Sequence, residues 1–195
     1  KIKQILLCML LACFILPASA QNSWGIDVGG GLFSKSLSRD ARFSLGGYAG
    51  GMYDVHVKNS WYVQPQLLFT YEEFRSKTRL GTDSFFSKFN LELPILASYN
   101  VALNNKWNLR INAGPYLSYA MFGRDKSIDY AYGNGMHSSL GWWHQDFPDH
   151  FTYGGRAGVS LESEHFIYTI DGKCSLRKRP FGQSVSLSAG VGYKF

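Results

Sequence analysis

Charged residues at alternate positions are the first candidates for chemistry. Asp27, Asp54, Glu72, Lys88, Glu92, Arg110, Arg156, Asp171 and Lys173 each sit in a segment where apolar and polar residues alternate. Acids and bases on one shared face suit two roles. One is a gated ion path. The other is a structural core of ion pairs, because an isolated buried charge is very costly. A second group is basic: Lys35, Arg39 and Arg42; Arg75, Lys77 and Arg79; Arg177, Lys178 and Arg179. Arg and Lys form charge-assisted bonds to phosphate, so phosphates or an acidic partner are the ligands that fit. An ordinary solvated rim fits equally. A third group is His137, Ser138, His144, Asp146, Asp149 and His150. These are types that ligate metal, and His144 with Asp146 or Ser138 are types that do acyl chemistry. No tight ligand spacing such as HExxH is present, which favours a polar loop. Trp142-Trp143 in the same stretch reads as a contact site or an interfacial anchor. Gly29-Gly30-Gly31 lies inside a strand with no helix after it, so it is no phosphate cradle.

The elements that carry these residues are strands. In Gln183 to Phe195, Val185, Leu187, Ala189, Val191, Tyr193 and Phe195 alternate with serines, glycines and Lys194. A period of two means a strand with one apolar and one small or polar face. The same period runs through Trp24–Phe33, Phe43–Val55, a strand from Trp61 to Glu72, one from Lys88 to Tyr99, and one from Trp107 to Tyr119. Thr152–Leu161 and Phe166–Leu176 follow, and the terminal strand makes eight. Pro65 lacks an N–H and predicts a bulge or a missing ladder bond. Lys58-Asn59-Ser60, Asn104-Asn105-Lys106 and Glu162 to His165 are short turns. The other connections are longer or charged, including Glu73 to Phe85 and Ala120 to Phe151.

The 195 residues carry a formal charge of +6. Lys1 and Lys3, the apolar run Ile5 to Leu16 and Ala18-Ser19-Ala20 read as a secretory signal peptide over residues 1–20. Its removal takes two lysines and leaves +4. It also removes Cys8 and Cys13, so Cys174 alone remains and no internal disulfide is expected. Cys174 itself reads as a small strand residue. No later apolar run is long enough for a spanning helix. Glycine is abundant at 21 residues and aromatics reach 16%. An exported, Gly-rich, aromatic-rich chain of eight alternating strands predicts an all-β fold, an eight-stranded antiparallel up-and-down transmembrane β-barrel over residues 21–195. Nucleic acid is not expected as a partner, since the chain reads as exported and carries no recognised motif.

The aromatics support that polarity. Trp24, Trp61, Trp107, Phe166, Tyr53, Tyr99 and Phe195 fall at one end of the strands. Phe33, Tyr71, Phe89, Tyr119 and Tyr153 fall at the other. Rings at two matched depths mark two membrane interfaces. The apolar face therefore meets lipid and the charges point inward. An eight-stranded interior is just wide enough for side chains, which favours the ion-pair core over the ion path. Short turns on one side and long loops on the other put both termini in the periplasm.

Several segments resemble the PorT-like outer-membrane β-barrel proteins of Bacteroidota. They are Gly29-Gly30-Gly31-Leu32, Val63-Gln64-Pro65-Gln66-Leu67, Leu91-Glu92-Leu93-Pro94-Ile95-Leu96, Ala113-Gly114-Pro115-Tyr116 and Gly190-Val191-Gly192-Tyr193. The resemblance covers nearly the whole chain after the signal and is architectural. It implies an integral outer-membrane protein and carries over no active-site residue. One branch of that family is associated with type IX export. The terminal Phe195 resembles the C-terminal signal read by the outer-membrane assembly machinery. Three functions follow as expectations. The first is a non-enzymatic barrel presenting loops for binding, or supporting envelope integrity or secretion, with lipopolysaccharide or an envelope protein as partner. Its candidate contacts are Arg75, Lys77, Arg79, Arg177, Lys178, Arg179, Trp142 and Trp143. The second is a lipid-modifying acyltransferase-like enzyme, and the third is a small pore. No catalytic, cofactor-binding or metal-ligating residue is assigned.

Overall fold

Alternation along each strand decides the wall, and pairing between strands closes it. The computed structural model describes residues 22–34, 43–77, 82–129, 141–142, 151–176 and 184–195. The proposed signal peptide lies outside them. Nine strands appear among the described residues: β1 (Ser23–Ser34), β2 (Phe43–Lys58), β3 (Trp61–Lys77), β4 (Thr82–Ala102), β5 (Asn108–Asp129), β6 (Gly141–Trp142), β7 (Phe151–Glu162), β8 (Phe166–Ser175) and β9 (Val185–Lys194). All pairings are antiparallel, and β9 returns to β1 through Val28↔Val191. Eight strands thus close an up-and-down barrel, the geometry that satisfies backbone groups inside lipid. β6 is a two-residue addition, paired to β5 at Arg124↔Trp142 and Asp125↔Gly141.

The eight expected strands are all present; β2 runs three residues further than the alternation indicates, and β3, β4 and β5 run further still. Glu73 to Phe85, expected as a charged loop, is largely a hairpin. Arg75 pairs with Phe85 and Lys77 with Asp83. β5 continues past Tyr119 to Asp129, its pairing to β4 shifting by one residue at Phe89/Asn90. Beyond the bilayer a strand needs no continuous lipid-facing side, so the apolar signal stops before the strand does.

Prolines interrupt three neighbouring ladders. The β2–β3 register runs to Met52↔Gln66 and resumes at Val55↔Val63, skipping Pro65. The β3–β4 register skips Pro94 between Pro65↔Ile95 and Leu68↔Glu92. The β4–β5 register skips Pro115 between Pro94↔Tyr116 and Ala97↔Ala113. Register is kept on both sides of each gap. What is missing is the donor that proline lacks, as anticipated at Pro65.

The three tight connections share one end. Asn59 takes a left-handed φ of 53° in the Asn59–Ser60 turn. Asn104 Oδ1 accepts from the Lys106 and Trp107 amides at 2.9 and 2.8 Å. Ser163 N donates to Phe166 O in the third. Asn22 and Phe195 lie at the same end. Asn22 Oδ1 accepts from His56 N, and Phe195 N donates to Trp24 O.

Candidate functional site: the charged interior and the outer extension

Period two sends inward the odd residues of β1 and β8 and the even residues of β2, β3, β4 and β7, and those of β5 as far as Ser118, where a bulge reverses the parity. The inner face accordingly holds the nine expected charges, all buried or nearly so. They form three tiers. At the end with the short turns, Arg110 bonds Asp54 and Glu162 at 2.7 Å each. Lys194 lies 2.5 Å from Asp54 and also pairs with Glu162. Gln64 Nε2 donates to Asp54 at 2.8 Å, and the Arg110 guanidinium sits 5.1 Å from the Tyr62 ring centroid.

In the middle tier Arg156 grips Asp171 with both sides of its fork, Nε at 2.9 Å and Nη2 at 2.7 Å. Ser188 Oγ donates to the same carboxylate. Tyr48 donates to Asp27 at 3.3 Å, and Arg156 lies over the Tyr48 ring. In the outer tier Lys173 contacts Glu72 at 2.8 Å and Glu92 at 2.5 Å, and Lys88 contacts Glu72 at 2.6 Å. Phe33 and Tyr116 flank Lys173 with their rings.

Two participants escaped the sequence reading. Glu162 was assigned to a turn, although it ends β7 and points into the first tier. Lys194 stood on the polar face of the last strand, yet its ion pairs come from β2 and β7. Phe33 is a correction. It was expected in the outer aromatic ring, but it is 4% exposed and lies inside the barrel. Its parity with Asp27 and Gly29 already puts it inward. Aromatic type at a strand end misled where the period was right.

Glycine makes the interior large enough for such rings. A Cβ on Gly29 would meet Tyr48 Cε1 at 2.5 Å, and one on Gly190 would collide with the Tyr48 hydroxyl. Tyr48 occupies the space that these two inward positions leave open. Filled in this way, the interior among the described residues holds a cavity of about 20 Å³ between the first and middle tiers and one of about 10 Å³ above. Arg156 and Asp171 border both. A hydrated ion does not fit either space, so in this state the ion-pair core describes the interior.

The outer surface carries the rings. Trp24 packs against Tyr53 with ring centroids 4.4 Å apart, Trp61 against Tyr99 at 5.0 Å, and Tyr193 touches both Phe166 and Phe195. Tyr71, Phe89 and Phe122 form a run at the opposite end, as do Tyr119 and Phe151. Ile26, Val28, Leu45, Ile111 and Ile170 fill the band between, each more than half exposed. Cys174 is free and half-buried, with outward parity on β8.

Past the Tyr71–Phe89–Phe122 ring, β3 continues through Glu73–Lys77 and β5 through Gly123–Asp129. At roughly 3.3 Å per residue this extends the sheet by about 15–25 Å. Arg75 and Lys77 lie on this extension, and Trp142 is on β6 at its edge. The structure thereby brings three candidate contacts onto one sheet. Arg79, Arg177, Lys178, Arg179 and Trp143 lie outside the described residues, as do Lys35, Arg39, Arg42, His137, Ser138, His144, Asp146, Asp149 and His150. The two described histidines sit at the turn end. His56 contacts the Asn59 carbonyl, and His165 stacks on Tyr193.

The family described as Outer membrane protein beta-barrel domain matches residues 19–194. No curated protein matches the chain. Among solved structures the barrel is similar to the outer membrane enzyme PagL, at 13% identity and a TM-score of 0.52, over 86% of this chain and 97% of that one. It is similar to Neisserial surface protein A at 16% identity and a TM-score of 0.50, over 89% and 97%. Ail of Yersinia pestis aligns at 14% identity and a TM-score of 0.48, over 89% and 99%. At such identities the likeness is one of fold.

Proposed function

This chain belongs to the outer membrane protein β-barrel domain family, and from that premise we propose that it is a non-enzymatic barrel whose outer extension binds lipopolysaccharide. It is an integral β-barrel protein of the bacterial outer membrane. The observation that carries the binding proposal is the continuation of β3, β4 and β5 past the outer aromatic ring, with Arg75 and Lys77 on it. The loop residues Arg79, Arg177, Lys178 and Arg179 would add charge, and Trp142 and Trp143 apolar contact. Lipid A phosphates lie at the surface from which this sheet rises, and guanidinium and ammonium groups bond them as charged acceptors. The turn end, where Asn22 and Phe195 lie, then faces the periplasm, where Phe195 would meet the assembly machinery. The quoted Gly-rich and Pro-containing strand segments support a place among the PorT-like barrels of Bacteroidota, and with it a role in envelope integrity or secretion.

The test is calorimetric titration of the full-length protein in detergent with lipopolysaccharide. Arg75→Ala/Lys77→Ala is expected to weaken binding by about 1.5–3 kcal/mol for each phosphate bond lost. Equal affinity for dephosphorylated lipopolysaccharide, or for the double variant, removes the proposal.

A further inference from the structure

Three buried polar atoms without a protein partner belong to residues that line one cavity. They are Asp27 Oδ1, Asn112 Oδ1 and Arg110 Nε. The cavity is the space of about 20 Å³ between the first and middle tiers. Asp27, Arg110 and Asn112 are 5%, 2% and 5% exposed. The rest of each side chain is committed. Asp27 Oδ2 accepts from Tyr48, Asn112 Nδ2 donates to Ser160 Oγ at 2.8 Å, and both Arg110 Nη atoms hold carboxylates. What remains on these three lining residues is two acceptors and one donor.

That inventory selects the occupant. A metal cation would satisfy the two oxygens but would face the Arg110 guanidinium. An anion would take the Arg110 N–H but would face the Asp27 carboxylate. Water offers two donors and two acceptor sites, and buried waters commonly make about three hydrogen bonds. One water needs roughly 10–15 Å³ of such space. The dimensions and the chemistry therefore agree.

We propose that this cavity is a binding site for one ordered water, bridging Asp27 on β1, Asn112 on β5 and Arg110 on β5. The water adds a second link between the middle tier and the first, beside the direct chain from Asp54 through Gln64 and Gln66 to Arg156. It also explains an imbalance. Among the described residues the interior holds six carboxylates (Asp27, Asp54, Glu72, Glu92, Glu162, Asp171) against five cations (Lys88, Arg110, Arg156, Lys173, Lys194). Asp27 is the carboxylate without a direct ion pair, because Arg156 spends its donors on Asp171 and Gln66. Water solvates it in place of a salt bridge.

The experiment is solution NMR on the full-length barrel folded in detergent, reading cross-relaxation between water and the Arg110 Hε and Asn112 side-chain amide protons. Long-lived water cross-peaks to both are expected. In Asn112→Leu two methyl groups replace the Oδ1 acceptor and the Nδ2 donor, so the water loses one of its three partners, and the Arg110 Hε cross-peak should fall several-fold while heat-modifiable mobility confirms folding. If that variant fails to fold, the wild-type spectrum decides alone. Absence of the Arg110 Hε cross-peak in folded wild-type protein overturns the proposal. So does a Na+ titration that shifts these signals and removes the cross-peaks, which would mark a cation site.

Discussion

Replacing Arg156 with methionine separates an ion-pair core from a hydrated channel. The perturbation removes both bonds to Asp171, at 2.9 and 2.7 Å. Asp171 is 5% exposed and keeps only Ser188 Oγ at 3.0 Å. Breaking a buried pair by deleting one partner costs about 3–5 kcal/mol, because the other charge is left buried and uncompensated. At about 1.4 kcal/mol per tenfold, that is roughly two to three and a half powers of ten in the folding equilibrium. A water-filled interior would instead screen the pair to the ~0–1 kcal/mol of an exposed one. The second arm is Arg156→Met/Asp171→Leu, which removes both charges and conserves much of the volume. Buried pairs replaced in this way are often neutral or stabilising, so the double variant should recover most of the loss. The assay is urea unfolding in lipid vesicles, followed by tryptophan fluorescence and heat-modifiable mobility. A loss below ~1 kcal/mol in the single variant, or no recovery in the double, would refute the ion-pair core.

Three further outcomes are expected. Gly190→Val places a side chain against the Tyr48 hydroxyl and should cost about 1–3 kcal/mol by overpacking; unchanged urea stability would contradict the role of Gly190 as space for that ring. Pro94→Ala restores a ladder donor toward β3 and should add about 0.5–1.5 kcal/mol, with the new amide at position 94 protected in hydrogen exchange. Rapid exchange there would show that the gap has a cause other than the missing N–H. The wild-type protein in planar bilayers should show no steady conductance, since its interior spaces are only about 20 and 10 Å³; stable channels would reopen the pore reading.

Period two by itself determined most of the wall. It assigned Asp27, Asp54, Glu92, Arg110 and Lys173 to the inside and Trp24, Ile26, Leu45 and Ile111 to lipid, because a strand sends successive side chains to opposite faces whatever its partners. It also marked Pro65 as a gap, since the missing donor is a property of the residue. It did not determine who pairs with whom. Lys173 meets Glu72 across 101 positions, and Arg110 meets Asp54 across 56. Those meetings depend on register and tilt summed around a closed sheet, which no local pattern records. The same dependence hid Glu162 and Lys194, which become core residues only once β7 and β9 are threaded into place. The outer extension of β3, β4 and β5 was equally silent, because outside lipid the strands are held by cross-strand pairing rather than by an apolar face. Facing is written in the sequence one residue at a time, whereas the tiers, the cavity between them and the protruding sheet exist only after the barrel closes.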